Sequence, residues 1–155
     1  MIHVVLYEPE IHLIKPLGFS LEDRYLKRSA VNYTEFCDYT VYENYEEFKE
    51  KNPGTYYYLT RYGKKTHTDF DYHDAKENIY FIFGKESTGI KKEILKEHLD
   101  TCLRIPMTEH VRALNLSNSV AIVVYEALRQ QKYNQLLHYD PFKGADFLQN
   151  YEGNE

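Results

Sequence analysis

Short apolar runs recur along the chain, each closed by turn residues, with more polar stretches between them. Residues 2–7 (IHVVLY) are apolar and β-branched and stop before Pro9, which predicts a buried strand. A second run at residues 12–14 (HLI) ends at Lys15-Pro16-Leu17-Gly18. Ser20 with Asp23 three residues on is a capping signature and predicts a helix over residues 21–28. Residues 36–41 predict a weak strand, and residues 45–50 an acidic helix halted by Asn52-Pro53-Gly54. TYYYLT at residues 55–60 predicts a strand, Tyr62-Gly63-Lys64-Lys65 a loop, and residues 67–72 a short irregular element. NIYFIF at residues 78–83 is the clearest buried strand, closed by Gly84. A short helix over residues 91–98 and a last strand over residues 101–105, ended by Pro106, follow. Residues 118–133 carry the strongest helical pattern, with Val120, Val123, Val124, Ala127 and Leu128 on one face.

Strands alternating with helices predict an α/β domain with a mostly parallel sheet. Ligands of such sheets bind beyond the carboxyl ends of the strands. Three loops of that kind stand out: residues 59–63 (LTRYG), 84–89 (GKESTG) and 106–109 (PMTE). One junction breaks the pattern. Only Glu8-Pro9-Glu10-Ile11 separates the first two strands, whereas a parallel crossover needs a dozen residues or more. Either the two strands form a hairpin or a crossover segment is missing. Because EPEI lacks an Asn-Gly type of turn signal, a segment missing between Glu10 and His12 is the expectation.

Composition narrows the picture. At 155 residues and 43% hydrophobic, the chain has the size and apolar content of one folded domain, residues 1–155, with a loosely held tail from about residue 139. The net charge of −5 argues against wrapping nucleic acid by charge alone, so any RNA contact needs a local basic patch. Lys15, Arg24, Lys27, Arg28, Lys64 and Lys65 are candidates, each equally readable as solvated surface charge. Cys37 and Cys102 form no CxxC and suit a reduced, cytoplasmic setting. The start MIHVVLYEPE is not a signal peptide, and no apolar run nears the ~18 residues of a membrane span. The seven histidines have no metal-ligand spacing, so no metal is expected, and no nucleophile arrangement is evident.

The strand-end loops admit a plain reading and a chemical one. Gly84 and Gly89 bracket a turn where glycine supplies positive φ. Ser87 and Thr88 can cap the next helix, and Ser117 or Asn118 can cap the last one. Leu59, Ile105 and Met107 read as strand and core residues, and Arg112 as surface charge or an anion contact.

Together these segments resemble the SPOUT methyltransferases, and within them the small tRNA ribose 2′-O-methyltransferases that act on the wobble nucleotide 34. HVVLYEPE is similar to the family's first strand, and HLIKPLGFSLEDRYLKRSAVNY to its second strand and helix. YYLTRYGKKTHTDFDY resembles the strand and loop before motif two. FGKESTGI (residues 83–90) resembles motif two, and RIPMTEHVRALNLSNSVAIVVYEALRQ (residues 104–130) motif three. The resemblance implies a deep C-terminal trefoil knot and S-adenosylmethionine as methyl donor, with S-adenosylhomocysteine as product. It implies a homodimer acting on the anticodon loop of tRNA, with Tyr125 packing at the dimer interface. By position it implies cofactor contacts from Leu59, Thr60, Gly63, Gly84, Glu86, Gly89, Ile105, Met107, Leu114, Ser117 and Asn118. Lys15, Lys27, Arg28 and Arg112 are the expected RNA contacts. The family's catalytic arginine lies in a motif that follows EPEI, close to P-x-N-T-G-N-I-x-R-T-C-A. Here that motif is absent, and no residue of this chain corresponds to the arginine.

Overall fold

A computed structural model describes residues 2–5 (as backbone), 10–15, 39–73, 76–85, 88–134 and 136–153. The expected helix over residues 21–28 and Cys37 lie outside these residues, as do Arg24, Lys27, Arg28, Glu86 and Ser87. Seven strands form one sheet in the order β3-β2-β1-β6-β4-β7-β5. They are β1 (Ile2–Val5), β2 (Glu10–Ile14), β3 (Tyr39–Tyr42), β4 (Thr55–Leu59), β5 (Lys65–Thr66), β6 (Ile79–Phe83) and β7 (Cys102–Arg104). Helices α1 (Tyr45–Lys51), α2 (Lys92–Lys96) and α3 (Leu116–Gln130) accompany them.

The expected alternation of strand and helix is present, and every described strand pairing that excludes β1 is parallel. β1 runs antiparallel to both its neighbours, β2 and β6. The expectation of a missing crossover segment is therefore corrected. Glu10 and Ile11 are consecutive residues of β2, and β1 and β2 pair as a hairpin with Val5 opposite Glu10. The reason is reach. Residues 6–9 alone join the strands, which suffices for an antiparallel return and not for a crossover. The pairing with β6 then puts Ile2 beside Phe83 and Val5 beside Tyr80, so the carboxyl end of β1 points away from the carboxyl ends of the other strands.

β6 is buried at every position, as a strand covered on both faces must be. Its odd-numbered residues Ile79, Phe81 and Phe83 join Leu103 and Ile105 beneath Val123 and Ala127 of α3. On the opposite face, Tyr80 meets Phe48 of α1, and Ile82 lies with Leu95 of α2. Many of the tyrosines serve this core. The Tyr58 ring is fully buried, its hydroxyl is 2.6 Å from that of Tyr45, and burial pushes its phenol well above the ordinary range. β5 falls where a loop was expected. It is a two-residue edge strand beside β7, too short to leave a periodicity. The irregular element before β6 is pinned to α3: Gln130 accepts from the Tyr72 amide at 2.7 Å and donates to the Phe70 carbonyl at 2.9 Å.

Candidate functional site

The carboxyl ends of β6, β4 and β7 lie side by side, so their loops meet at one edge of the sheet. After β4, the Thr60 amide donates to the Leu103 carbonyl at 2.9 Å and the Gly63 amide to the Thr60 carbonyl at 3.1 Å, giving a tight turn. A Cβ on Gly63 would stand 2.7 Å from the Leu103 carbonyl carbon, so only glycine lets this turn lie on β7. After β6, the chain doubles back and the Gly89 amide donates to the Lys85 carbonyl at 2.8 Å. A Cβ on Gly84 would meet the Gly89 backbone at 2.2 Å. Gly84 is bare to admit its own loop. Gly89 has φ +69°, and its missing side chain faces open space.

After β7, Ile105 is buried and Met107 half-buried, and the chain crosses to α3. Leu59 and Leu114 pack against the same core that contains Ile105. The cap of α3 is Asn115, whose Oδ1 accepts from the Ser117 amide at 2.9 Å and from its hydroxyl at 2.6 Å. This corrects the expectation of Ser117 or Asn118 as the cap; both lie in the first turn and are exposed. The expected cofactor residues 59, 60, 63, 84, 89, 105, 107, 114, 117 and 118 are thus brought to the loops of one sheet edge and the start of α3. Glu86 is outside the described residues.

The basic candidates are dispersed. Lys15 follows β2, donates to Glu43 at 3.0 Å, and borders an open hollow of about 800 Å³ shared with Lys85 and Lys91. Arg112 is exposed on the loop before α3. Lys64 and Lys65 are exposed on the β4–β5 side. Tyr125 faces outward, 57% exposed, while the inner line of α3 is Ser119, Val123 and Ala127. Among the described residues no group of three or more potential metal ligands occurs. No described helix is long and apolar enough to cross a membrane.

Residues 5–125 match the model of the SpoU rRNA Methylase family, and the chain belongs to that family. A tRNA (cytidine(34)-2′-O)-methyltransferase of Escherichia coli (strain K12) is 37% identical over 153 residues, which cover 86% of this chain and 96% of that protein. A Bacillus subtilis (strain 168) relative, provisionally given the same activity, is 46% identical over 154 residues, covering 87% of this chain and 96% of its own length. A structure described as giving insight into 2-OH methylation of C/U34 on tRNA matches with a TM-score of 0.71 and 33% identity, over 79% of each chain. The SpoU methyltransferase AviRb from Streptomyces viridochromogenes, solved with AdoMet, shares the fold alone, at a TM-score of 0.64 and 18% identity.

Proposed function

We propose that the protein is an S-adenosylmethionine-dependent tRNA ribose 2′-O-methyltransferase acting on the wobble nucleotide, cytidine or uridine 34. The observation that carries this is the convergence of the β4, β6 and β7 loops with the start of α3, in a chain whose relatives bear that activity in their names. The donor set fits such a cofactor. Leu59, Ile105 and Leu114 offer an apolar bed for adenine, and Thr60, Met107 and the exposed Ser117 and Asn118 border it. Gly63 and Gly89 keep the backbone low at this edge, and Gly84 closes its loop. Glu86 belongs to the same reading from its place in the motif.

When bound, the cofactor supplies a methyl group already activated as a sulfonium, so the protein's task is mainly positioning. Its loops hold the donor and exclude water, and Arg112 and Lys15, with Lys27 and Arg28, neutralise tRNA phosphates around the anticodon loop. S-adenosylhomocysteine leaves as product. The chain between β7 and α3 closes a trefoil knot, and two copies pair through the outer face of α3. The exposed Ile122 and Tyr125 support that pairing. The enzyme works in the cytoplasm with no metal.

A second reading is favoured by one observation. β1 is reversed, so the chain that follows it leaves from the edge opposite the cofactor loops, where the family's arginine motif would begin in a parallel arrangement. On that reading the domain keeps the pocket and has lost turnover; a third variant places the methyl group on another RNA site. Titration with S-adenosylmethionine, followed by transfer of a labelled methyl group to tRNA and mapping of the modified nucleotide, separates them. Binding with 2′-O-methylation at nucleotide 34 is the expected result. Binding without transfer leaves the non-catalytic module, and absence of binding overturns the assignment.

A further inference from the structure

A second hollow, of about 290 Å³, lies outside the proposed cofactor site and is lined by Tyr62, Lys92, Leu95, Lys96 and Leu99. Its composition is an aromatic ring and an apolar floor ringed by cations. Tyr62 is 58% exposed and Leu99 70% exposed. The Arg61 guanidinium sits 4.9 Å from the Tyr62 ring centre and donates to its hydroxyl at 2.7 Å, and the Lys92 ammonium is 5.9 Å from the same ring.

The sorting of charge along α2 and the turn after it is the more telling fact. Positions 92, 95, 96 and 99 share a side, as the i, i+3, i+4, i+7 spacing requires, and all line this hollow. Glu93 and Ile94 line the other hollow, and the charge of Glu97 acts on Tyr45 across the same side of the sheet. Of the charged residues of this short segment, Lys92 and Lys96 line the hollow beside Tyr62, while Lys91 and Glu93 line the other. In a chain of net charge −5, such a local cationic surface is selective.

We infer that this hollow is a nucleobase platform: an unpaired nucleotide of the RNA substrate stacks on Tyr62, with its flanking phosphates held by Arg61, Lys92 and Lys96. The inference rests on the RNA-methyltransferase reading above and adds a contact site to it. An aromatic face beside cations is the usual means of gripping single-stranded RNA, since every base offers a π-face and every linkage a charge. A paired helix buries its base faces and cannot use the ring.

Binding of full-length tRNA transcript and of a fully paired RNA duplex, measured by fluorescence anisotropy with S-adenosylmethionine titrated in parallel, tests it. Tyr62→Ala is expected to weaken tRNA binding about tenfold, and Tyr62→Phe to preserve it. Lys92→Ala and Arg61→Ala are each expected to weaken binding and to lower the slope of log affinity against log salt by about one. Duplex binding should be insensitive to Tyr62→Ala, and cofactor affinity should be unchanged in Lys92→Ala. A Tyr62→Ala protein that binds tRNA like the wild type, while the wild type still transfers methyl groups, overturns this inference alone. A wild type that does not bind tRNA overturns it together with the functional reading. A wild type that binds a poly-glutamate peptide as tightly as tRNA overturns the assignment to RNA.

Discussion

Strands β4, β6 and β7 run parallel, and each hands its carboxyl end to a loop of the candidate site. β1, paired with the same central β6, runs against both its neighbours. Both regions are apolar, and both carry segments that resemble the same family. The difference lies in their connections. Every passage among β4, β6 and β7 is long enough to carry the chain back for a parallel strand. Between β1 and β2 only residues 6–9 are available. Hydrophobic patterning therefore decides that a segment is a strand, and connection length decides its direction. The candidate site draws on the carboxyl ends of the parallel region, and β1 presents its carboxyl end at the opposite edge.

That contrast can be attacked from the strong side first. Phe81 is buried in β6 against Tyr57 and Tyr72, with ring centres 5.7 and 5.3 Å away. Phe81→Ala should cost about 3–5 kcal/mol in a urea denaturation, because β6 is shared by both regions. Gly63→Ala should come next. Its Cβ would press on the Leu103 backbone, for which a loss of about 1–3 kcal/mol is expected. Calorimetry should also record weaker S-adenosylmethionine binding, since the β4 turn must move off β7. Unchanged affinity would detach that turn from the site.

Asn115→Ala removes the oxygen that holds the Ser117 amide and hydroxyl, and about 1 kcal/mol of stability should go with it. Asn115→Asp should largely restore the stability, because an aspartate oxygen caps equally well.

The smallest effect belongs to the reversed region. His12 on β2 is 3% exposed, with Nδ1 2.9 Å from the Tyr42 hydroxyl and Nε2 3.5 Å from Glu10. Burial holds its pKa below 6.5, and Glu10 opposes this only in part. The folded state thus favours neutral His12 while the unfolded chain takes up a proton near pH 6.5. The His12 contribution is full above that pH and shrinks as pH falls through it. Melting temperatures at pH 7.5 and 5.5 should differ more for the wild type than for His12→Phe. An equal difference would mean that Glu10 compensates the burial.

How much of this was legible in the sequence follows the same division. NIYFIF announced β6 because a strand buried on both faces reads as an unbroken apolar run. FGKESTG and NLSNS announced the loops because glycine and capping residues carry local signals. The connection at EPEI could be recognised as too short, but its resolution as a hairpin depended on β6 accepting β1 from the other direction, which no local residue encodes. Asn115 was overlooked as the cap because Ser117 and Asn118 are equally good caps in isolation. The platform at Tyr62 was hidden because Lys92 and Lys96 lie some thirty residues away in sequence and meet the ring only once α2 packs beside the β4 turn.

The account stands on a cofactor site that belongs to the parallel region and does not need the reversed strand. Two-dimensional amide spectra recorded while S-adenosylmethionine is added test that most directly. The account predicts shifts concentrated at Leu59 to Gly63, at Gly84 and Gly89, and from Ile105 to Asn118, with β1 and β2 unmoved. Shifts centred on β1 and β2, with the glycine loops silent, would contradict it.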